Sequence, residues 1–174
     1  MSIHRLTEHD AAIFWALRLR GLREHPEAFG ASYEDSAARP LAEVERRLRN
    51  EGSSPDNFVL GAFSSEGVLT GVVGFARDEG LKVRHKGMIW GMYVMPEARG
   101  KGSGKALLSA AIERAKAVSG LDQLYLAVVT ERVEARRLYL QLGFTIYGIE
   151  PRALKIGDRY YDEELMFLPL NEVT

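Results

Sequence analysis

The sequence VMPEARGKGSGKALLSAAIERA, residues 94–115, places three glycines at alternate positions directly before a helical pattern. Arg99 precedes Gly100, Gly102 and Gly104, and the apolar residues that follow recur at the spacing of one helix face. The first N–H groups of a helix have no partner within it and carry partial positive charge, so they bind anions. Because glycine has no Cβ, an anion can approach the main chain closely here. The stretch therefore predicts a cradle for a pyrophosphate group.

Two common nucleotide-binding motifs do not fit this loop. The Rossmann fingerprint G-x-G-x-x-G requires a third glycine where Lys105 stands. The P-loop G-x-x-x-x-G-K-[ST] requires a glycine in place of Arg99 and a hydroxyl in place of Ala106. A nucleotide-binding regulator, which would bind ATP or NAD, is therefore an alternative that the sequence disfavours.

The runs on either side of the loop predict an α/β protein. Before it, KGMIWGMYVMP is a strand-type run that Pro96 closes, because proline cannot donate to a strand ladder. After it come a helix over residues 102–118, the strand QLYLAVV, a helix that stops at Gly143, and the strands FTIYGI and RYYDEELMFLPL. Earlier in the chain, NFVLGAF and GVLTGVVGFAR form a hairpin pattern. The predicted order is β-α-α-β-β-β-α-β-α-β-β, which includes a β-α-β crossover.

Length and composition restrict the class of protein. The 174 residues suit one domain spanning residues 1–174, and the net charge of -1 gives no broad attraction to nucleic acid or a membrane. The chain has no cysteine, and its four histidines lack metal-ligand spacing, so no metal site is expected. The start MSIHRLTEHD has no apolar segment typical of a secretory signal, and no run is long enough to span a membrane. We therefore expect a cytoplasmic protein.

A second motif follows the loop along the chain. The sequence ARRLYLQLGF, residues 135–144, fits the pattern A-x-x-L-Y-x-x-x-G-F at every fixed position, and Arg99, Gly102 and Gly104 fit R-x-x-G-x-G. Together and in this order, the two motifs resemble the signatures of the GNAT superfamily of N-acetyltransferases. The resemblance covers residues 86–144 by motif and the whole chain by the order of its elements.

The resemblance implies a GNAT-like α/β (α+β) fold, with a mostly antiparallel sheet whose central parallel pair splays apart. That pair would be the strand ending at Met95 and the strand QLYLAVV. It also implies that acetyl-CoA is the co-substrate and binds between these strands and the glycine loop. The cofactor-binding residues implied are Met92, Tyr93 and Val94 on the strand, and Arg99, Gly100, Lys101, Gly102, Ser103, Gly104 and Lys105 in the loop.

The resemblance further implies an N-acetyltransferase that transfers an acetyl group to a primary amine by direct attack in a ternary complex. Tyr139 occupies the position of the general acid for the leaving thiolate, and an ordinary tyrosine pKa of about 10 suits a neutral donor. Gly91 would permit the strand distortion that exposes N–H groups to the acetyl oxygen. From the residues alone, a tyrosine on the helix face of Ala135, Leu138 and Leu142 is more often a core residue with its hydroxyl at the surface, and only the resemblance gives it a chemical role.

Two features depart from the family pattern. The strand segment MIWGMYV holds no carboxylate to act as general base, so Glu79, His85, Glu34 or a chain of water molecules are the candidates. Arg132 stands where many relatives have an asparagine that contacts the pantetheine. Both departures favour an alternative function, a non-catalytic module that senses acetyl-CoA, whereas Tyr139 favours an enzyme.

The acceptor is open at this stage. In the family, the first helices with their loop and the last hairpin line the acceptor site, which here means residues 24–51 and 151–161. The aromatic and acidic residues of these segments that suit an amine are Phe29, Tyr33, Glu34, Tyr160 and Tyr161. A small-molecule amine and a protein amine are both candidates, and a homodimer is left open.

Overall fold

The computed structural model describes residues 1–53 and 55–170. Residues 54 and 171–174, which the single-domain prediction includes, lie outside the described residues. Short 3₁₀ turns cover Glu8–Asp10, Pro26–Ala28 and Pro96–Ala98. The strands and helices in chain order are β1 (Ser2–Arg5), α1 (Ala11–Glu24), α2 (Tyr33–Ala37), α3 (Leu41–Ser53), β2 (Asn57–Phe63), β3 (Leu69–Arg77), β4 (Lys86–Val94), α4 (Ser103–Lys116), β5 (Gln123–Val129), α5 (Val133–Gln141), β6 (Thr145–Ile156) and β7 (Arg159–Pro169).

The strands of the described residues form one sheet in the order β1-β2-β3-β4-β5-β7-β6. Only the neighbours β4 and β5 run parallel; the other pairs are antiparallel. A parallel pair needs a crossover connection, and α4 provides it. The predicted fold class, a mostly antiparallel sheet with a central parallel pair, is confirmed.

The parallel pair splays apart along its length. Pairing between β4 and β5 begins at Lys86↔Gln123 and ends at Met88↔Tyr125, so the second half of β4 is not paired with β5. Gly91 has a φ of +63°, and the register between β3 and β4 shifts beside it. Since side chains disfavour a positive φ, glycine at position 91 is what allows this β-bulge.

One face of the sheet is covered by α4 and α5. Leu107 and Leu108 of α4 are buried in one cluster with Phe58 and Phe75, whose rings stack 4.8 Å apart. Each apolar side chain of this size contributes about 1.5–3 kcal/mol when fully buried. This packing holds α4, and with it the glycine loop at its start, against the sheet.

The opposite face is covered by α1 and α3. Phe14 of α1 and Leu48 of α3 are buried there with Val72 of β3 and Tyr93 of β4. The bulged strand β4 therefore separates two apolar layers, with its free edge between them.

Trp90, on the α1 side of β4, lies against the main chain of β3. A Cβ placed on Gly74 would be 2.1 Å from Trp90 Cε2, closer than real Cβ contacts come. The indole therefore occupies the volume that any side chain at position 74 would need.

Some boundaries differ from those predicted. Gly102 is the left-handed residue that precedes α4, so the helix begins at Ser103 and ends at Lys116 rather than spanning 102–118. Strand β6 continues to Ile156, well past the predicted FTIYGI, because a register shift between Glu150 and Leu154 accommodates Pro151. Within the described ranges, no helix combines the length and the apolar character needed to cross a membrane.

Candidate functional site

The splay between β4 and β5 opens a cavity of about 650 Å³. Its walls are the second half of β4, the glycine loop with the first turn of α4, the start of α5, and the chain around the Pro26–Ala28 turn. All of the predicted cofactor-binding residues except Lys101 line it. The lining residues are His25, Ala28, Phe29, Met92, Tyr93, Val94, Arg99, Gly100, Gly102, Ser103, Gly104, Lys105, Glu131, Arg132, Val133, Glu134, Ala135, Leu138 and Tyr139.

The start of α4 supplies main-chain donors to this cavity. The N–H of Ala106 donates to the carbonyl of Gly102 at 3.0 Å, which is the first backbone hydrogen bond of the helix. The N–H groups of Ser103, Gly104 and Lys105 precede that bond and have no carbonyl to accept them within the helix. A helix terminus of this kind binds anionic groups.

The glycines of the loop differ in what surrounds them. Gly100 and Gly102 have φ values of +74° and +81°, and nothing lies within 4 Å of the place where a Cβ would stand. The space above them is therefore open, as a pyrophosphate would require. A Cβ on Gly104 would instead lie 3.4 Å from the side chains of both Leu138 and Met92. The expected reason for glycine, room for the anion, thus applies to Gly100 and Gly102, whereas Gly104 allows α4 to pack closely.

The two cations of the loop point in different directions. Arg99 donates from Nε to the carbonyl of Val94 at 2.9 Å, and its Nη2 lies 3.2 Å from Nε2 of His25. Lys101 turns away and donates from Nζ to the carbonyl of Glu97 at 3.3 Å. Arg99 is therefore part of the cavity wall, and Lys101 lies on the outside of the loop.

The free edge of β4 presents main-chain donors to the cavity. The N–H of Met95, just beyond β4, donates to the carbonyl of Thr70 in β3 at 2.9 Å. Because successive N–H groups of a strand point to opposite edges, the N–H of Val94 points to the β5 side. No β5 residue pairs with Val94. A donor in this position can polarise a carbonyl placed in the splay.

Tyr139 of α5 lies at the base of the cavity. Its side chain is buried in the α4-side cluster, and its ring meets that of Phe144 edge-on at 6.0 Å. Burial raises the pKa of Tyr139 to about 12, with the nearby charge of Arg132 acting in the opposite direction. The phenol is therefore neutral at pH 7 and can donate a proton.

A polar cluster that the sequence did not indicate stands at one wall of the cavity. His25 Nδ1 lies 3.3 Å from Nη1 of Arg132, which also donates to Oε1 of Glu27 at 2.9 Å. Burial lowers the pKa of His25, and the guanidinium groups of Arg132 and Arg99 lower it further. The imidazole is therefore neutral at pH 7. Its contacts join parts of the chain more than a hundred residues apart, so no local pattern could reveal them.

The structure does not bring the suggested general bases to the cavity. Glu79 lies in a separate surface hollow with Asp56 and Arg84. The carbonyl of His85 accepts from the start of β5, so this residue is at the far end of β4 from the glycine loop. Glu34 is exposed on α2 and does not line the cavity.

The carboxylate of Glu24 is linked to the cavity by a hydrogen bond from Tyr93, which lines it. The hydroxyl of Tyr93 donates to Oε2 of Glu24 at 2.7 Å, and Arg20 donates to the other oxygen of that carboxylate. Burial raises the pKa of Tyr93 to about 12, and its hydrogen bond to Glu24 adds to the effect. This pair connects the cavity wall to the surface of α1.

Of the residues expected near the acceptor, Phe29 lines the cavity. Tyr33 accepts a hydrogen bond from Arg23 beside α1. Tyr160 and Tyr161 lie at the far end of the β6–β7 hairpin, stacked with arginines of that hairpin. Among the described residues, most of those predicted to bind acetyl-CoA therefore line one cavity, whereas of the aromatic and acidic residues predicted near the acceptor only Phe29 lines it.

Solved structures resemble this chain over nearly its whole length. The acetyltransferase of GNAT family from Streptococcus pneumoniae matches it with a TM-score of 0.87 at 29% identity, covering 97% of this chain and 98% of that one. A GNAT superfamily phosphinothricin acetyltransferase from Sinorhizobium meliloti, solved in complex with AcCoA, matches with a TM-score of 0.83 at 22% identity, covering 98% of this chain and 89% of that one. At 22% identity, the resemblance to the Sinorhizobium enzyme concerns the fold alone.

Sequence relatives point in the same direction. The chain is 33% identical over 150 residues to a mycothiol acetyltransferase of Thermobispora bispora, covering 81% of this chain and 45% of that protein. It is 39% identical over 80 residues to an L-methionine sulfoximine/L-methionine sulfone acetyltransferase of Pseudomonas aeruginosa, covering 46% of this chain and 45% of that protein. The chain thus spans about half the length of the curated relatives it matches. Residues 19–144 match the model of the Acetyltransferase (GNAT) family, and the chain belongs to that family.

Proposed function

We propose that the chain is an N-acetyltransferase that transfers an acetyl group from acetyl-CoA to a primary amine by direct attack in a ternary complex. One observation carries the proposal: a helix N-terminus with open space at Gly102 and the buried neutral phenol of Tyr139 share a single cavity. The complex of the Sinorhizobium relative with AcCoA supports the identity of the donor.

The residues of the cavity suit the parts of this donor. The N–H groups of Ser103, Gly104 and Lys105 would hold the pyrophosphate, and Arg99 would add its charge beside them. The free edge of β4, from Met92 to Val94, would hold the pantetheine arm by main-chain hydrogen bonds. Lys101 would contribute little, because an exposed ion contact is worth about 0–1 kcal/mol.

Two groups of the chain have properties that acetyl transfer requires. The amine nitrogen attacks the thioester carbon, so a C–N bond forms and the C–S bond breaks. The N–H of Val94 polarises the carbonyl, and Tyr139 gives its proton to the departing sulfur. The proton that the amine loses would pass to water in the open cavity, because both ring nitrogens of His25 face the guanidinium groups of Arg99 and Arg132.

The names of the relatives favour a small-molecule acceptor. The sequence relatives are named as a mycothiol acetyltransferase, a spermidine N(1)-acetyltransferase and an L-methionine sulfoximine/L-methionine sulfone acetyltransferase. A panel of small amines with thiol detection, followed by mass spectrometry of the acetylated product, tests the function directly. The proposal expects thiol release that equals product formation. Release with no acetylated amine would contradict it.

The alternative function, a module that senses acetyl-CoA without turnover, has one observation in its favour. Arg132 stands at the N-terminus of α5 and is held by Glu27, so it reduces the room between that helix and the Pro26–Ala28 turn. A sensor would bind acetyl-CoA in calorimetry and release no thiol with any amine. An enzyme would bind acetyl-CoA and also release thiol when a suitable amine is present.

A further inference from the structure

Two buried donors without a hydrogen-bond partner lie together on the α1 side of β4. They are Nη1 of Arg18 and Nε1 of Trp90, and the Arg18 guanidinium carbon is 5.7 Å from the Trp90 ring centre. A third such atom of the described residues, Nε of Arg5, belongs to a guanidinium that already donates to the carbonyl of Asn57. More than nine in ten buried polar groups are paired, and an unpaired one costs about 1–3 kcal/mol. Two neighbouring unpaired donors therefore indicate a missing acceptor.

The surroundings of Arg18 are aromatic and cationic. Its guanidinium carbon lies 5.0 Å from the ring centre of Phe29, and that of Arg47 lies 4.4 Å from the ring centre of Trp90. Burial, with the charge of Arg47, lowers the pKa of Arg18 to about 10, so it remains a cation at pH 7. No carboxylate of the described residues contributes to that pKa. The place favours an anion.

This place adjoins the cavity at the point where the reaction is proposed. A Cβ on Gly91 would be 2.8 Å from Nη1 of Arg18, so the guanidinium lies directly against the bulge of β4. The next residue, Met92, lines the cavity, and so does Phe29 beneath the guanidinium. An anion bound at Arg18 would therefore be only a few bonds from an amine that attacks a thioester in the splay.

We propose that Arg18 and Trp90 bind the carboxylate of an acceptor whose amine is on the adjacent carbon, that is, an α-amino acid or a close analogue. The proposal rests on the proposed acetyl transfer and specifies its substrate class. A planar guanidinium pairs with both oxygens of a carboxylate, and the indole N–H adds a third donor. A polyamine would bring further positive charge towards Arg18, and a protein α-amine is followed by an amide that has no charge. Both are disfavoured.

The first experiment compares amino acids with their own carboxamides. Methionine sulfone, methionine and phenylalanine are each assayed beside the matching amide, with spermidine as a cationic acceptor. We expect kcat/KM to be about tenfold to a hundredfold higher for the acid than for the amide, since hydrogen bonds to charged groups contribute about 1.5–3 kcal/mol. Equal or better transfer to amides or spermidine would overturn the carboxylate site and leave acetyl transfer intact. No transfer to any amine would overturn both proposals.

The second experiment removes the donors one at a time. Arg18→Gln should raise KM for the acid about tenfold to a hundredfold and leave the amide and the affinity for acetyl-CoA unchanged. Its melting temperature should be equal to or higher than that of the parent chain, because it replaces a buried unpaired charge. Arg114→Gln is the matched control: Arg114 also lies 5.7 Å from an aromatic ring centre, that of Phe58, but is exposed on α4.

Two milder variants keep the test decisive if Arg18→Gln does not fold. Arg18→Lys retains the charge and loses the planar fork, and Trp90→Phe retains a ring and loses the N–H donor. Each should reduce the preference for acid over amide about twofold to tenfold. An unchanged preference in both variants would overturn the site.

Discussion

The ring of Tyr139 is sufficient for a packing role, whereas a chemical role requires its hydroxyl group. Tyr139 is buried in the α4-side cluster, and its ring packs edge-on against Phe144. Tyr139→Phe keeps that packing, so stability and the affinity for acetyl-CoA should not change. If the phenol is the acid, kcat should fall about 10²–10⁴-fold.

The measurement for Tyr139→Phe is single-turnover acetyl transfer, in which product release does not limit the rate. Tyr147→Phe is its control, since Tyr147 also packs edge-on against a phenylalanine but is exposed on β6. Full turnover in Tyr139→Phe would assign this residue to the core only.

His25 should make stability depend on pH. Burial, Arg132 and Arg99 lower its pKa from the ordinary 6.5, so the unfolded chain binds a proton at a higher pH than the folded chain does. The free energy of unfolding should therefore fall as pH drops below about 6.5, until the folded pKa is reached.

Urea unfolding between about pH 5 and pH 8 measures the contribution of His25. His25→Gln should flatten the dependence in this range, whereas His9→Gln, at an exposed site, should not. Equal slopes in the parent chain and His25→Gln would contradict the assignment.

Side chains that act locally could be predicted from the sequence, and those that act across the fold could not. Gly102 and Tyr139 belong to short motifs whose spacing is visible in the chain. His25 meets Arg132 across a sequence separation of 107 residues, and Arg18 meets Trp90 across the interface of α1 and the sheet. Contacts of this kind depend on how the elements pack, which no local pattern contains.

The loop that begins α4 is the element on which the binding of acetyl-CoA should depend. Gly102→Val should lower the affinity about tenfold to a hundredfold, because its side chain would enter the open space and disturb N–H groups that hold a charged ligand. It also forces a β-branched residue into a positive φ, at a cost of about 1–3 kcal/mol.

Gly67→Val separates strain from binding in a calorimetric titration. Gly67 has a φ of +78° in the turn between β2 and β3, with open space where a Cβ would stand. The Gly67→Val variant should lose about as much stability as Gly102→Val and should bind acetyl-CoA with the affinity of the parent chain. Normal binding in the Gly102→Val variant would exclude the loop as the cradle.

The elements themselves were largely visible in the sequence. Apolar periodicity and turn residues predicted α4, β5 and the hairpin of β2 and β3, because these elements bury one or both faces. The length of β6 was not visible, since Pro151 marks the end of an ordinary strand and is accommodated here by a bulge.

At the scale of the whole molecule, binding of acetyl-CoA should stabilise the fold. The cavity joins β4, α4, α5 and the segment around the Pro26–Ala28 turn, and a ligand that contacts all of them binds only the folded chain. At a hundred times its Kd, the ligand would add about 2.7 kcal/mol, which corresponds to a rise in Tm of about 5–11 °C for a chain of this size.

Differential scanning fluorimetry with increasing acetyl-CoA measures that rise in Tm. Free CoA serves as the comparison for the contribution of the acetyl group. A Tm that does not change at saturating acetyl-CoA would contradict the assignment of the cavity.

Because Trp90 occupies the volume beside Gly74, substitutions at these two positions of neighbouring strands should depend on each other. A residue larger than glycine at position 74 is incompatible with an indole at position 90, so descendants of this chain should exchange both positions or neither. Because Trp90 also carries one of the two donors proposed for the carboxylate, position 74 becomes a marker of acceptor preference. Family members with a side chain there should lack the indole, and their acceptors should include amines without an adjacent acid.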